Sequence, residues 1–285
     1  MSKLKIAIQK SGRLSEKSLS LLAESGIKLS NSDRKLKSEA SNFPIEVLFL
    51  RDDDIPQYVE EGVADIGIVG ENEVWEKCKT VTEVRKLGFA QCRMSLAIPK
   101  DEYYDGPGYF QNKKIATSYP RILKRYLKDL QIEAQVEEIG GSVEIAPGIG
   151  LSHGIFDIVG TGSTLLMNGL KEVTVVTESE AVLISNINLN KEKLLILEQL
   201  LFRIKAVKNA GCNKYILLNV PNNKLDQIIE LLPGMKSPTI LPLALSGWSS
   251  IHSVIREQAF WEIIAKLKEL GAEGILVLDV EKMII

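Results

Sequence analysis

Short apolar runs alternate with amphipathic segments along the first hundred residues. The apolar run at residues 5–9 predicts a strand, and Leu19, Leu22 and Ala23, at three- and four-residue spacing, predict the helix at residues 15–25 that follows it. Ser15 is the expected N-cap of this helix and Gly26 its expected stop. A second strand and helix unit follows within residues 45–69. Strands that alternate with helices indicate an α/β protein with a wrapped sheet.

The pattern begins again near Arg93, which indicates a second α/β lobe. Its predicted strands lie at residues 95–98, 114–116, 134–139 and 156–159, and its predicted helices at 121–130 and near 149–154. A long amphipathic helix at residues 191–210 leads out of the two lobes. We therefore expect lobe I to comprise residues 1–93 and 178–210, and lobe II to comprise residues 94–177.

Residues 211–285 follow a different order, which predicts a separate domain. Strands are expected at residues 215–220, 239–243, 250–255 and 274–280, and helices at 223–232 and 258–270. This βαββαβ order is that of a ferredoxin-like domain. Each helix carries one apolar stripe, so both stripes can cover one face of an antiparallel sheet and are expected to form its core.

Composition and charge exclude several classes of protein. The chain has 285 residues, of which 45% are hydrophobic and 25% charged, as in ordinary globular domains. Its 35 lysines and arginines against 37 acids give a net charge of -2, which disfavours nucleic-acid binding. The apolar runs are too short for a membrane helix or a signal peptide. Three widely spaced cysteines argue against a disulfide framework, so we expect a cytoplasmic protein.

The sharpest chemical signal is FDIVGTGSTLLMNG at residues 156–169, an apolar strand that runs into a glycine-rich turn and a short helix. Glycines let successive backbone N–H groups point into one concavity, and the hydroxyls between them add donors, so a phosphate would fit there. An ordinary turn with Thr164 as helix cap is the alternative. The turn matches neither GxGxxG nor the P-loop. Its residues are Gly160, Thr161, Gly162, Ser163 and Thr164.

Other polar residues give weaker signals. Arg13 follows the first predicted strand and could pair with a phosphate, although a solvated arginine is the commoner outcome. The acids at residues 52–54 precede Pro56 and are expected to cap a helix in preference to binding a metal. His153 and His252 fall in different predicted domains, which gives little support to a histidine-based triad or metal site.

Several separated stretches together carry a far more specific signal than any single loop. They are KSGRLS at 10–15, RDDDIP at 51–56, VADIGIVGEN at 63–72, ATSYP at 116–120, GSVEIAP at 141–147, DIVGTGSTLLMNGLKEV at 157–173, LLPGMKSPTILPL at 231–243 and GAEGILVLDVEKM at 271–283. Through them nearly the whole chain resembles the ATP phosphoribosyltransferase family, long form.

The resemblance implies a pentosyltransferase that catalyses the first step of L-histidine biosynthesis. ATP and 5-phosphoribosyl 1-pyrophosphate would give N1-(5-phosphoribosyl)-ATP and pyrophosphate, with Mg2+ carried by the pyrophosphate and no protein side chain assigned as its ligand. By analogy, residues 160–164 hold the 5-phosphate, Asp157 lies near the ribose and Glu144 contacts ribose or pyrophosphate. Either carboxylate could stabilise positive charge on the ribose, and no general base is assigned.

The resemblance also implies an ATP side and a regulatory domain. Glycine follows Pro147 here, at Gly148, where the family often has a basic residue, so a phosphate contact is expected to be missing. Residues 211–285 would be an ACT-like domain that binds free L-histidine through the loop containing Ser237 and Thr239, favouring an inhibited hexamer over active dimers. The residues expected on the ATP side are Gly12, Arg13, Gly70, Glu71, Asn72 and Tyr119.

A non-enzymatic ligand sensor is the alternative function, because two α/β lobes around a cleft are also the architecture of periplasmic binding proteins. The expected lack of a signal sequence disfavours the periplasmic version. Catalytic turnover would distinguish the enzyme from the sensor.

Overall fold

A computed structural model describes residues 2–30, 36–232 and 234–285. Contacts divide the chain into two compact units, Met1–Ser20 with Lys28–Ile196 and Leu21–Ile27 with Leu197–Ile285. Over the described residues the strands form three sheets of six, five and four strands. No helix in these residues combines the length and apolarity needed to cross a membrane.

One part of the first unit is a six-stranded sheet with its helices. The elements are β1 (Leu4–Gln9), α1 (Arg13–Glu24), β2 (Lys37–Glu39), β3 (Ile45–Leu50), α2 (Ile55–Glu60), β4 (Ile66–Gly70), α3 (Glu71–Lys77), β5 (Val81–Lys86) and later β11 (Ala181–Asn186). The strand order is β2-β3-β1-β4-β11-β5. The parallel strands β1, β3 and β4 end at one edge, which is where open α/β sheets bind ligands. β4 is buried on both faces from Ile66 to Val69, as expected for a strand covered by helices.

The other part of the same unit is a five-stranded sheet with its helices. The elements are β6 (Cys92–Pro99), β7 (Lys114–Thr117), α4 (Pro120–Asp129), β8 (Gln135–Glu138), β9 (Gly154–Val159), α5 (Ser163–Met167) and β10 (Leu170–Ser179). The strand order is β10-β6-β9-β7-β8. β7 and β9 are parallel, so their carboxyl ends share an edge, whereas β6 is antiparallel to β9 and β10. Phe110 and Phe156 are fully buried in the core of this sheet.

The second unit contains a four-stranded antiparallel sheet with its helices. The elements, beginning with the helix that leads into it, are α6 (Lys191–Gly211), β12 (Asn213–Pro221), α7 (Leu225–Leu231), β13 (Thr239–Pro242), β14 (Trp248–Arg256), α8 (Glu257–Glu269) and β15 (Glu273–Asp279). The strand order is β13-β14-β12-β15. The predicted βαββαβ order is confirmed, and Ile216, Ile251 and Leu267 lie fully buried between the sheet and its helices.

The expected start of α1 is wrong. The helix begins at Arg13, so Ser15 is a buried residue of its first turn and not the N-cap. The reason is Gly12, whose positive φ of 93° turns the chain and whose carbonyl accepts the first helical bond from the Glu16 N–H. The expected stop is confirmed, since Gly26 has a φ of 74° directly beyond the last turn.

Two further expectations about helices are wrong. The stretch near residues 149–154 is not a helix, because turns at residues 146–150, in which Gly150 has a positive φ of 77°, lead into the non-helical residues 151–153, and the nearest helical turn is a 3-10 turn at Val143–Ile145. Asp52–Asp54 is itself a 3-10 helix that precedes α2, and within the described residues no side chain caps either helix. The Asp52 carboxylate instead accepts the Asp53 N–H at 3.1 Å.

Four strands lack a corresponding prediction, namely β2, β5, β10 and β11. The six-stranded sheet uses strands within residues 4–86 and 181–186, and the five-stranded sheet uses residues 92–179. The proposed boundaries at 1–93 with 178–210, 94–177 and 211–285 stay a prediction.

Replacing Gly154 at the start of β9 is expected to destabilise the fold. A Cβ there would lie 2.9 Å from both the Ala97 carbonyl oxygen and Phe110 Cε1, so the backbone or a buried ring must shift. We expect Gly154→Ala to lower the free energy of unfolding by about 2 kcal/mol in urea titration. In the matched control Gly108→Ala no described atom lies within 4 Å of the new Cβ, and the change should stay below about 0.5 kcal/mol. Equal losses would contradict the close contact at Gly154.

Candidate active site

The glycine-rich turn lies on the carboxyl end of β9. Gly162 has a positive φ of 80° and occupies the N-cap position of α5, so the alternative with Thr164 as cap is wrong. The Thr161 and Ser163 hydroxyls lie 3.0 Å apart, and Thr161, Ser163 and Thr164 are exposed. Because α5 has only five residues, its dipole adds little. The turn offers loop amides and hydroxyls as donors for an anion.

Asp157 and Glu144 lie close enough to repel each other. Asp157 is on β9, one residue after the buried Phe156, and its carboxylate accepts the N–H of Ile158 at 2.8 Å. Burial, together with the charge of Glu144, raises the pKa of Asp157 to about 6 against the lowering effect of that bond. Glu144 reaches this position from the 3-10 turn Val143–Ile145. The structure therefore brings the two predicted carboxylates together.

Tyr119 connects the carboxyl edges of the two larger sheets. It lies directly before α4, with its side chain near Glu73 of α3. Burial, followed by the charges of Glu73 and Asp157, raises the pKa of Tyr119, so the phenol stays protonated beside these acids. Burial also raises the pKa of Glu73 to about 7, and the charge of Asp52 adds to this effect. Tyr119 is thus held beside Asp157.

The Gly12 turn lies beside another acid of the same edge. Gln9 at the end of β1 donates from Nε2 to Asp52 Oδ2 at 3.2 Å. A Cβ on Gly12 would lie 3.8 Å from Gln9 Oε1, so the turn runs next to this pair. Arg13 is exposed at the start of α1. Its guanidinium is therefore accessible to solvent.

The residues Gly70, Glu71 and Asn72 lie where β4 passes into α3. Glu71 and Asn72 are buried. Glu71 forms an ion pair with Lys86 at 2.9 Å, and Asn72 exchanges hydrogen bonds with the Ser179 hydroxyl through its N–H and its Oδ1. Both side chains thus bond to residues at strand ends, Lys86 of β5 and Ser179 of β10. The expected contact of Gly70, Glu71 and Asn72 with ATP stays a prediction.

Ser237 and Thr239 lie in the second unit. The Ser237 hydroxyl donates to the Pro238 carbonyl at 3.3 Å, and Thr239 is exposed on β13 opposite His252 of β14. Pro233, in the same stretch of sequence, lies outside the described residues. The role of this loop in binding histidine stays a prediction.

Sequence reasoning did not identify Glu73, and it assigned Asp52 to helix capping. A signal for Glu73 exists in the sequence, because Glu73 and Glu76 are three residues apart and share one face of α3. Such a pair usually marks a solvated face. Here both side chains are buried, which follows from the packing of α3 near α4.

Two family models match the chain from residue 51 to residue 282, with a short gap between them. Residues 51–206 match the model described as ATP phosphoribosyltransferase, and residues 210–282 match the model described as HisG, C-terminal domain. The chain is 60% identical over 282 residues to proteins named ATP phosphoribosyltransferase from Bacteroides thetaiotaomicron and Bacteroides fragilis. These alignments cover 99% of this chain and 100% of each relative.

Solved structures also resemble this chain. The ATP phosphoribosyl transferase (HisG:HisZ) complex from Thermotoga maritima matches with a TM-score of 0.62 and 30% identity, over 71% of this chain and 96% of that chain. A histidine kinase sensor domain with similarity to periplasmic binding proteins matches with a TM-score of 0.50 and 8% identity, over 73% of this chain and 91% of that one, which is a likeness of fold alone.

These matches confirm the enzyme interpretation over the ligand sensor. Both family models cover stretches that carry the resemblance, and the relatives are similar over their full length. The chain belongs to the ATP phosphoribosyltransferase family, pentosyltransferases of histidine biosynthesis.

Proposed function

We propose that the chain condenses ATP with 5-phosphoribosyl 1-pyrophosphate, as the first step of L-histidine biosynthesis. The lone pair of adenine N1 forms a bond to the anomeric carbon of the ribose, and the bond from that carbon to pyrophosphate breaks with its electron pair leaving on pyrophosphate. The observation that carries this proposal is the open glycine turn beside a half-buried carboxylate with a raised pKa on one strand, β9.

The turn at residues 160–164 would hold the 5-phosphate. An added Cβ would meet no described atom within 4 Å at Gly160, and at Gly162 only side-chain atoms at 3.9 Å, so both flanks of the turn leave room for an anion. The hydroxyls of Thr161, Ser163 and Thr164 are exposed and supply further donors. Fixing the phosphate at the end of β9 would place the ribose next to Asp157.

Asp157 and Glu144 would stabilise the positive charge that grows on the ribose as pyrophosphate departs. A carboxylate in a buried site acts more strongly on a nearby charge than one in water. The same burial raises the pKa of Asp157 to about 6, so its carboxylate is mainly ionised only above that pH. The reaction needs positioning and charge stabilisation, and no residue is assigned as general base.

The ATP side would lie at the carboxyl ends of β1 and β4. Gly12 and Arg13 follow β1, and the Arg13 guanidinium is exposed and suited to a nucleotide phosphate. Gly70 ends β4, Glu71 and Asn72 begin α3, and Tyr119 lies near Glu73 of the same helix. The Tyr119 ring would be a surface on which the nucleotide base packs.

Mg2+ would enter as part of the substrate, bound to the pyrophosphate. Within the described residues, no group of three or more His, Cys, Asp or Glu side chains is arranged to hold a metal ion. The Mg2+ that the substrate brings would neutralise the charge of the leaving group.

L-histidine would inhibit the enzyme through the C-terminal domain. The ferredoxin-like sheet and the exposed Thr239 on β13 support this proposal, together with the match of residues 210–282 to the C-terminal domain model. A hexamer that histidine favours over active dimers belongs to the same proposal.

Closing the glycine turn is expected to weaken one substrate selectively. In Gly162→Val a β-branched side chain must adopt a positive φ, which distorts the concavity. We expect KM for 5-phosphoribosyl 1-pyrophosphate to rise at least about tenfold and KM for ATP to change by less than about twofold. Ultraviolet absorbance of phosphoribosyl-ATP, formed with Mg2+ present, measures both. Gly108→Val is the control, and absence of product from the unaltered protein would refute the proposed reaction.

The pH dependence of kcat/KM for 5-phosphoribosyl 1-pyrophosphate tests the role of Asp157. Its pKa of about 6 means that protonation removes the carboxylate as the pH falls through 6, so kcat/KM should fall on this acid side. Glu144→Gln removes a charge that raises this pKa, and the acid limb should move to lower pH. Asp157→Asn should lower kcat by roughly 100-fold. An unchanged limb in Asp157→Asn would contradict the assignment.

Thr239→Val is expected to weaken inhibition by L-histidine without affecting the uninhibited reaction. Valine keeps the shape and removes one hydroxyl, so the histidine concentration for half inhibition should rise roughly tenfold. A dose-response curve in the same absorbance assay measures it, with Thr174→Val in the first unit as a control. An unchanged curve would mean that Thr239 does not contact the effector.

A further inference from the structure

An ion pair supports the glycine turn from a neighbouring strand. Arg93 of β6 bonds to Glu172 of β10 in a two-pronged arrangement, Nε to Oε1 and Nη2 to Oε2, the latter at 2.7 Å. Ser95 donates its hydroxyl to Glu172 Oε1 at 2.6 Å. The remaining terminal nitrogen of Arg93, Nη1, donates to the Gly160 carbonyl oxygen at 2.9 Å. Arg93 therefore connects two strands to the first residue of the turn.

This arginine is not a free cation. The Arg93 guanidinium lowers the pKa of Glu172, chiefly through their hydrogen bond, so the carboxylate stays charged and balances the arginine at neutral pH. The three bonds use Nε, Nη1 and Nη2 and fix the plane of the guanidinium. Such an arrangement suits holding a carbonyl in place better than attracting a substrate phosphate.

The bond to Gly160 fixes the direction of one N–H group. In a trans peptide the carbonyl and the following N–H point in opposite directions. Since the Gly160 carbonyl points to Arg93, the N–H of Thr161 points away from it, toward the opposite side of the turn. Glycines on both sides make this segment costly to order, so a fixed peptide would reduce the entropy lost when an anion binds.

We propose that Arg93 and Glu172 are positioning residues for the phosphate-binding turn. Arg93 holds the peptide between Gly160 and Thr161 so that the Thr161 N–H is directed to the 5-phosphate. Glu172 and Ser95 hold Arg93. Neither side chain touches the substrate. This inference rests on the proposed role of residues 160–164.

The competing possibility is direct contact between Arg93 and the pyrophosphate. Arg93 and Gly160 both line a cavity of about 340 Å³, together with Cys92 and Glu178. If pyrophosphate entered this cavity, Arg93 would act as a cation, and loss of the Glu172 charge would strengthen its attraction for the substrate. If Arg93 positions the turn, loss of Glu172 would weaken substrate binding as loss of Arg93 does. The two possibilities therefore predict opposite effects of Glu172→Gln.

The test compares single and double substitutions in the full chain. We expect Arg93→Gln and Glu172→Gln each to raise KM for 5-phosphoribosyl 1-pyrophosphate roughly tenfold, with KM for ATP changed by less than about twofold. The double variant should be no worse than Arg93→Gln alone, because both residues act through one contact. Arg93→Lys keeps the charge but cannot form the two-pronged bond, so it should resemble Arg93→Gln. Glu178→Gln is the matched control, since it removes the same charge from the same strand, at a residue that lines the cavity beside Arg93.

Inhibition by product fragments separates positioning from direct contact. Ribose 5-phosphate should bind roughly tenfold more weakly to Arg93→Gln and to Glu172→Gln than to the unaltered protein. Inorganic pyrophosphate should inhibit these two variants as strongly as it inhibits the unaltered protein. Weaker inhibition by pyrophosphate in Arg93→Gln, or a lower substrate KM in Glu172→Gln, would overturn the proposal. Thermal melting of each variant identifies any that fail to fold, and Glu172→Gln and Arg93→Lys remain if Arg93→Gln does so.

Gly162→Val shows which proposal fails. If Gly162→Val raises the substrate KM and the Arg93 and Glu172 variants leave it unchanged, the positioning proposal alone is wrong. If Gly162→Val leaves the substrate KM unchanged, the assignment of the turn to the 5-phosphate is wrong.

Discussion

The site depends on one buried strand. β9 lies in the middle of the five-stranded sheet, between the antiparallel β6 and the parallel β7. Its first residue, Gly154, leaves room for the Ala97 carbonyl and the Phe110 ring, and Phe156 is fully buried. Because side chains alternate along a strand, burying Phe156 directs Asp157 to the other face. The glycine turn follows at the end of the same strand, so packing at one end of β9 sets the position of the proposed phosphate-binding turn at the other.

Carboxylates meet between the carboxyl edges of the two larger sheets. The raised pKa values of Asp157 and Glu73 show the cost of burying these acids near others. Uncompensated like charges destabilise a fold, so their presence beside a cleft points to use in binding or catalysis. In the proposed reaction the compensation would come from the positive charge on the ribose and the Mg2+ of the substrate.

Two acids of α3 also join that helix to α4. Glu76 accepts the backbone N–H groups of Arg121 and Ile122 at 3.0 Å, which are otherwise unpaired donors at a helix start. Glu73 reaches Tyr119 one turn away. The Glu76 carboxylate of α3 thus caps the start of α4. This contact fixes the position of Tyr119, which directly precedes α4.

The sequence by itself determined the α/β class, the βαββαβ domain, the family and the glycine turn, because hydrophobic periodicity and contiguous motifs are local properties of the chain. It did not determine the start of α1, the turns at residues 146–150 or the strands β10 and β11. Only the tertiary structure brought Glu73 to Tyr119 and Arg93 to Gly160, pairs separated by 46 and 67 positions. Contacts at such separations depend on how sheets and helices pack, and no local pattern of residues records them.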